Sequence, residues 1–102
     1  MTPAHRHQAF WDLHQQGCFV IPNPWDAGSA RMMAAAGAQA LATSSAAHAF
    51  TLGRPDLGSV TRDEALGHAQ AILSATGLPL SGDFENGFAD DPDGVAQTIR
   101  LA

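Results

Sequence analysis

A recurring beat constrains this chain most: a helix start, an apolar stripe at helical spacing, a glycine, a short apolar run, then polar residues. Thr2-Pro3 reads as an N-cap followed by proline at the first helical position. Phe10, Trp11 and Leu13 give that helix an apolar side, and Gly17 closes it. Cys18 to Ile21 is apolar without alternation, the pattern of a strand covered on both faces. Asn23 or Asp26 then caps a second helix running through Met32 and Met33 to Gly37. Ala38 to Thr43 is the second predicted strand, and a long loop follows from Ser44 to about Val60. Thr61 with Glu64 three residues on forms a capping box. Leu66, Ala69, Ile72 and Leu73 supply the buried stripe of that helix, and Gly77 stops it. Leu78 to Asp83 is the third predicted strand, and Asp91-Pro92 opens a last helix with Val95 and Ile99 on one face.

Strands alternating with helices at this spacing imply βα units, a parallel sheet and right-handed crossovers. Two architectures satisfy that pattern. A doubly wound dinucleotide-binding sheet wants a glycine-rich turn after its first strand. This chain has Pro22-Asn23-Pro24-Trp25-Asp26 there instead. A (β/α)8 TIM barrel fits better, yet a complete one takes roughly 200 residues or more. The 102 residues are therefore expected to form an incomplete barrel of about three parallel strands with flanking helices. On this reading residues 1–102 are the N-terminal part of one barrel domain with no internal boundary, and the third strand awaits its next partner.

Composition removes several classes of function. The net charge is −5 and no basic stripe exists, so nucleic acid and anionic membrane surfaces are poor partners. All five cations are arginine, which rules out a Schiff-base lysine in this segment. Cys18 stands alone in an apolar run and is expected to be a buried, inert thiol. A single cysteine offers no disulfide framework, and the first sixteen residues lack the apolar core of a signal peptide. No run is long enough to span a bilayer, so a cytoplasmic protein is expected.

The polar residues cluster after the predicted strands: Asn23, Ser44-Ser45, and Asp83 with Glu85. Parallel α/β folds gather chemistry at the carboxyl ends of strands. Asp83 and Glu85 are two apart, so in an extended segment both carboxylates point the same way. Like charges on one face repel, so the pair points to a place that holds a divalent cation, with a solvated turn as the plainer alternative. Other polar residues have simpler explanations. Asp26 and Asn23 fit helix caps, and Asp90, Asp91 and Asp93 surround a helix start. His5, His7, His14 and His68 read as surface residues, while His48, in the loop after the second strand, is a weaker candidate for substrate contact.

Four segments together resemble the isocitrate lyase / phosphoenolpyruvate mutase superfamily. They are Asn23-Pro24-Trp25-Asp26-Ala27-Gly28-Ser29-Ala30-Arg31, Ala42-Thr43-Ser44-Ser45-Ala46, Leu52-Gly53-Arg54-Pro55-Asp56, and Ser81-Gly82-Asp83-Phe84-Glu85-Asn86-Gly87-Phe88. Order and spacing agree as well as letters, from about Phe10 to the end. The resemblance implies a barrel, usually oligomeric and Mg²⁺-dependent (Mn²⁺ is an alternative), acting on a small 2-oxo acid or carboxylate through a pyruvate-enolate-like species. It implies that Asp83 is the principal metal carboxylate and also meets the substrate. Glu85 would be the second acid, often acting through water, and Asp56 would join the outer shell. Ser44, Ser45 and Ala46 would hold the substrate's carboxylate or phosphonate. Many members carry two aspartates where this chain has Asp83 and Glu85. The family's mobile catalytic loop would lie beyond Ala102, so no catalytic residue is assigned here and the segment alone is expected to be inactive. The implied activity is C–C bond cleavage of 2-oxo or 2-hydroxy di- or tricarboxylates, as in a 2-methylisocitrate lyase or an oxaloacetate decarboxylase. A P–C bond enzyme (phosphoenolpyruvate phosphonomutase or phosphonopyruvate hydrolase) and a non-catalytic remnant are the alternatives.

Overall fold

A computed structural model describes residues 2–102 as an α/β unit with a two-stranded parallel sheet and five helices. The order is α1 (Pro3–Leu13), α2 (Ala27–Ala35), β1 (Leu41–Ala42), α3 (Ser45–Thr51), α4 (Arg62–Ala75), β2 (Leu80–Ser81) and α5 (Pro92–Leu101). β1 and β2 pair with Leu41 opposite Leu80 and Ala42 opposite Ser81.

Local chemistry sets the helix starts. Thr2 accepts from the His5 N–H, Asp26 from Ser29, Thr61 from Glu64 and Asp91 from Gly94. Asp26 and Thr61 both complete reciprocal capping boxes. Gly37 follows α2 at φ +104°, the conformation that a helix-ending glycine supplies without a Cβ clash. Gly77 does not stop α4 in that way. Its C-terminal region is instead held by Arg6, whose guanidinium donates to the carbonyls of Leu73, Thr76 and Leu78 at 2.9–3.2 Å. That satisfies carbonyl oxygens in and just beyond the last turn and ties α1 to α4 across the chain.

Three expectations need correction. The segment Cys18 to Ile21 forms no strand, so two strands stand where about three were expected. It does reach β1: the Ala42 N–H donates to Pro22 O at 3.1 Å and Asn23 donates to Ala42 O. Pro22 and Pro24 lack the N–H groups that would extend this into a ladder. The same open flank leaves Cys18 exposed rather than buried, and Val20 78% exposed. Finally, the region from Ser44 to Val60 is not all loop. Ser44 caps α3 by accepting from the Ala47 N–H, and three alanines supply helix propensity.

Two small cores hold the unit. Ala30, Leu41 and Ile72 bring α2, β1 and α4 together, with Met33, Ala38, Ala75, Leu78 and Leu80 around them. Ala49, Val60 and Ala65 pack with Phe84 and Phe88 beneath the carboxyl ends of the strands. The small residues at these contacts let helix and sheet approach closely. Among the described residues no helix is long and apolar enough to cross a membrane.

Candidate functional site

The carboxyl ends of β1 and β2 are fastened together by side chains. Thr43, just past β1, is buried; its N–H donates to Ser81 O at 2.9 Å and its Oγ1 accepts the Asp83 N–H at 2.7 Å. Asp83 in turn accepts from the Ser45 N–H at 3.0 Å and the Glu85 N–H at 3.1 Å. The Ser45 hydroxyl donates to Asp56 Oδ1 at 3.1 Å. Asp83, Ser45 and Asp56 thus form one hydrogen-bonded chain drawn from three separate segments.

Asp83 and Glu85 are not consecutive inward positions of a strand. β2 ends at Ser81, and Glu85 sits at φ +54° in a turn. The period-two reading of their directions therefore gives way to a turn closed by Asp83 accepting the N–H two residues on. Glu85 Oε1 accepts from the Gly58 N–H at 2.9 Å, which joins this turn to the loop carrying Asp56. Gly87, at φ +85°, lies where a Cβ would meet Val95 at 2.9 Å, so α5 packs directly on the turn. Thr98 of α5, fully buried, donates to Gly87 O at 2.6 Å and fixes it there.

A cleft opens between these segments. Its lining combines the polar Thr43, Ser44, Ser45, Asp83 and Glu85 with His48 and His68 and with apolar residues that include Val60 and Phe88. The enclosed part is about 10 Å³, room for roughly one water. A ligand would therefore lie across the mouth, where Asp83 and Glu85 are exposed. Ala46 does not line the cleft, and Asp56 reaches it only through Ser45.

Electrostatics favour an ionised Asp83. Partial burial pushes its carboxyl up, but the N–H groups of Ser45 and Glu85 and the Ser45 hydroxyl outweigh it, and the net shift is downward. His48 moves down as well, first through burial and then through His68; Glu64 opposes this and Arg54 adds to it. Among the described residues, no three His, Cys, Asp or Glu side chains form a ready-made metal cage. The donors at the mouth are all oxygens, however. A hard cation that keeps most of its waters and takes one or two carboxylates suits such a set, and Mg²⁺ is the common ion of that kind.

His68 is the residue that sequence reasoning missed. It stacks on His48 with ring centroids 3.9 Å apart and planes 5° from parallel. The signal lay in the helical period: Ala65, His68 and Ile72 share one face of α4, and Ala65 and Ile72 are its buried positions. Thr43 was passed over because its role depends on a contact forty residues away.

The chain is similar to known proteins over nearly its whole length. The family profile of phosphoenolpyruvate phosphomutase matches residues 10–102. A crystal structure of a lyase/mutase candidate from Burkholderia cenocepacia superposes with a TM-score of 0.94 at 54% identity, covering 97% of this chain and 36% of that one. A phosphoenolpyruvate phosphomutase from Streptomyces platensis superposes with a TM-score of 0.87 at 26% identity, covering 98% of this chain and 34% of that one. The 2-methylisocitrate lyase of Halalkalibacterium halodurans is 34% identical over 90 residues, 88% of this chain and 29% of the lyase. The chain belongs to the isocitrate lyase / phosphoenolpyruvate mutase superfamily and corresponds to its N-terminal portion. It spans about a third of the length of the curated relatives it matches.

Proposed function

We propose that this chain carries the metal- and carboxylate-binding rim of a Mg²⁺-dependent C–C bond lyase, cytoplasmic and homo-oligomeric, with a (β/α)8 barrel as its complete domain. Its substrates would be small 2-oxo or 2-hydroxy di- or tricarboxylates. The observation that carries this reading is the hydrogen-bonded chain Asp83–Ser45–Asp56, which gathers oxygen donors from three segments at the strand ends.

Asp83 would hold the ion, with Glu85 and Asp56 acting through water. Glu85 already accepts from Gly58 with one oxygen, which leaves the other for an aqua ligand. When bound, the ion would supply Lewis-acid stabilisation of charge developing on the substrate's 2-oxo oxygen. The remaining work falls to the chain's own groups. The Ser44 oxygen accepts from the Ala47 N–H, so its own O–H remains free to donate to a carboxylate. Ser45 holds Asp83 with its N–H and Asp56 with its hydroxyl, keeping both acids in place before a ligand arrives. In this reading the Ser44 hydroxyl seats the substrate carboxylate beside Asp83, and Ser45 serves by holding the two acids in place.

The test is calorimetric. Oxalate, which chelates as a 2-oxo acid does, should bind the chain with millimolar Mg²⁺ and not with EDTA. Absence of binding under both conditions would refute the reading. A P–C bond enzyme is the second reading, supported by the family profile and by the Streptomyces structure. Assay of a full-length protein carrying this segment, with 2-methylisocitrate and with phosphonopyruvate, separates the two.

A further inference from the structure

The stacked imidazoles in the cleft have no part in the ion site. Trp25 O lies 2.8 Å from His68 Nε2, and a carbonyl can only accept, so that nitrogen carries hydrogen. The His68 ring is thereby fixed, and the His48 ring lies flat against it. Among the described residues no hydrogen bond engages the His48 imidazole; its hydrogen-bonding partner Thr51 uses the His48 backbone carbonyl. A half-buried imidazole held by stacking alone, at the wall of a cleft, has donor capacity to spare.

Its position is specific. Ser45 and His48 are three apart on α3, on one helical face and about 4.5 Å apart along the axis. Both line the cleft, and no lysine or arginine does. The nearest cation, Arg54, is committed to Glu64 at 2.8 Å and to Ser59 O at 3.2 Å. An anionic group lying across the mouth beside Ser44 and Asp83 therefore meets His48 as the available donor.

We propose that His48 contacts the distal carboxylate of a four-carbon 2-oxo or 2-hydroxy dicarboxylate, and that His68 is the positioning residue behind it. This rests on the proposed function, in which the other end of the ligand is held at Asp83 and Ser44. The charges facing the pair are Glu64 and Arg54 on the side of α4, Asp26 near His68, and Asp83 with Glu85 at the mouth. A neutral imidazole donates one N–H to a carboxylate without adding a second fixed cation to the site.

The experiment compares malate, lactate and oxalate binding to the chain in Mg²⁺ by calorimetry. Malate and lactate share the 2-hydroxy acid end; only malate has the distal carboxylate. The wild type should prefer malate by about tenfold, the worth of one hydrogen bond to a charged group. His48→Ala should bring that ratio near one and leave oxalate affinity unchanged. His48→Phe, which keeps the stacked ring and the packing, should do the same. His68→Ala should lower the ratio and His68→Phe restore it, and ¹⁵N imidazole signals of His48 should move with malate and not with lactate. Intact oxalate binding with an unaltered ratio in both His48 variants would overturn this inference alone. Failure of oxalate to bind the wild type would overturn the proposed function, and this inference with it.

Discussion

Replacing Thr43 by valine isolates the link that seats Asp83. The two side chains have nearly the same shape, so packing beneath the sheet is kept while the Oγ1 acceptor is lost. The Asp83 N–H, 2.7 Å from that oxygen, then has no protein acceptor. Leaving a buried donor unpaired costs about 1–3 kcal/mol. Asp83 is exposed, so water reaches part of the deficit and the lower end applies, about 1 kcal/mol. For a unit of this size that corresponds to a fall in Tm of roughly 4–8 °C. Thr43→Ser keeps the oxygen and loses one methyl, about 0.8 kcal/mol. Stability alone therefore does not separate the two variants, but amide hydrogen exchange at Asp83 does. Exchange should quicken in Thr43→Val and stay near the wild-type rate in Thr43→Ser. Mg²⁺-dependent oxalate binding should weaken in the valine variant only. An Asp83 amide that exchanges at the wild-type rate in Thr43→Val would show that this hydrogen bond does not hold the site.

Four further outcomes can be measured. Asp83→Ala should abolish Mg²⁺-dependent oxalate binding; retention of wild-type affinity would contradict its role. Gly87→Ala should destabilise by about 1–3 kcal/mol, because φ +85° disfavours a side chain and the new Cβ would press on Val95 at 2.9 Å; urea denaturation reads this directly. Glu64 has its carboxyl lowered to about 2, first by its bond from Arg54 and then by the Thr61 N–H. Its contribution is present above its ordinary value of 4.5 and is lost as pH falls toward 2, so Glu64→Gln should flatten the acid limb of the stability curve. His48 is shifted in the same direction, in a higher pH window. Below 6.5 the folded chain binds fewer protons there than the unfolded chain, so stability should rise with pH through that window, and His48→Gln should reduce the slope.

How much was legible in the letters follows from the range of each interaction. The caps at Thr2, Asp26, Thr61 and Asp91 join residues three apart, so adjacent letters encode them and the helix starts could be read directly. The polar rim after the strands was legible too, because a strand followed by Ser44-Ser45 or by Asp83 leaves its mark locally. The α3 helix was readable in principle, since Ser44 and the following alanines are its cap and its propensity. The pairing of β1 with β2 decided what no local pattern contains. It brings the Ser45 N–H to Asp83 across 38 residues, and it stacks His48 on His68. It also leaves Cys18 to Ile21 without a ladder, because Pro22 and Pro24 withhold the donors that a third strand needs. Sequence determined which residues were polar and where helices began; the register of two short strands determined which of those residues meet.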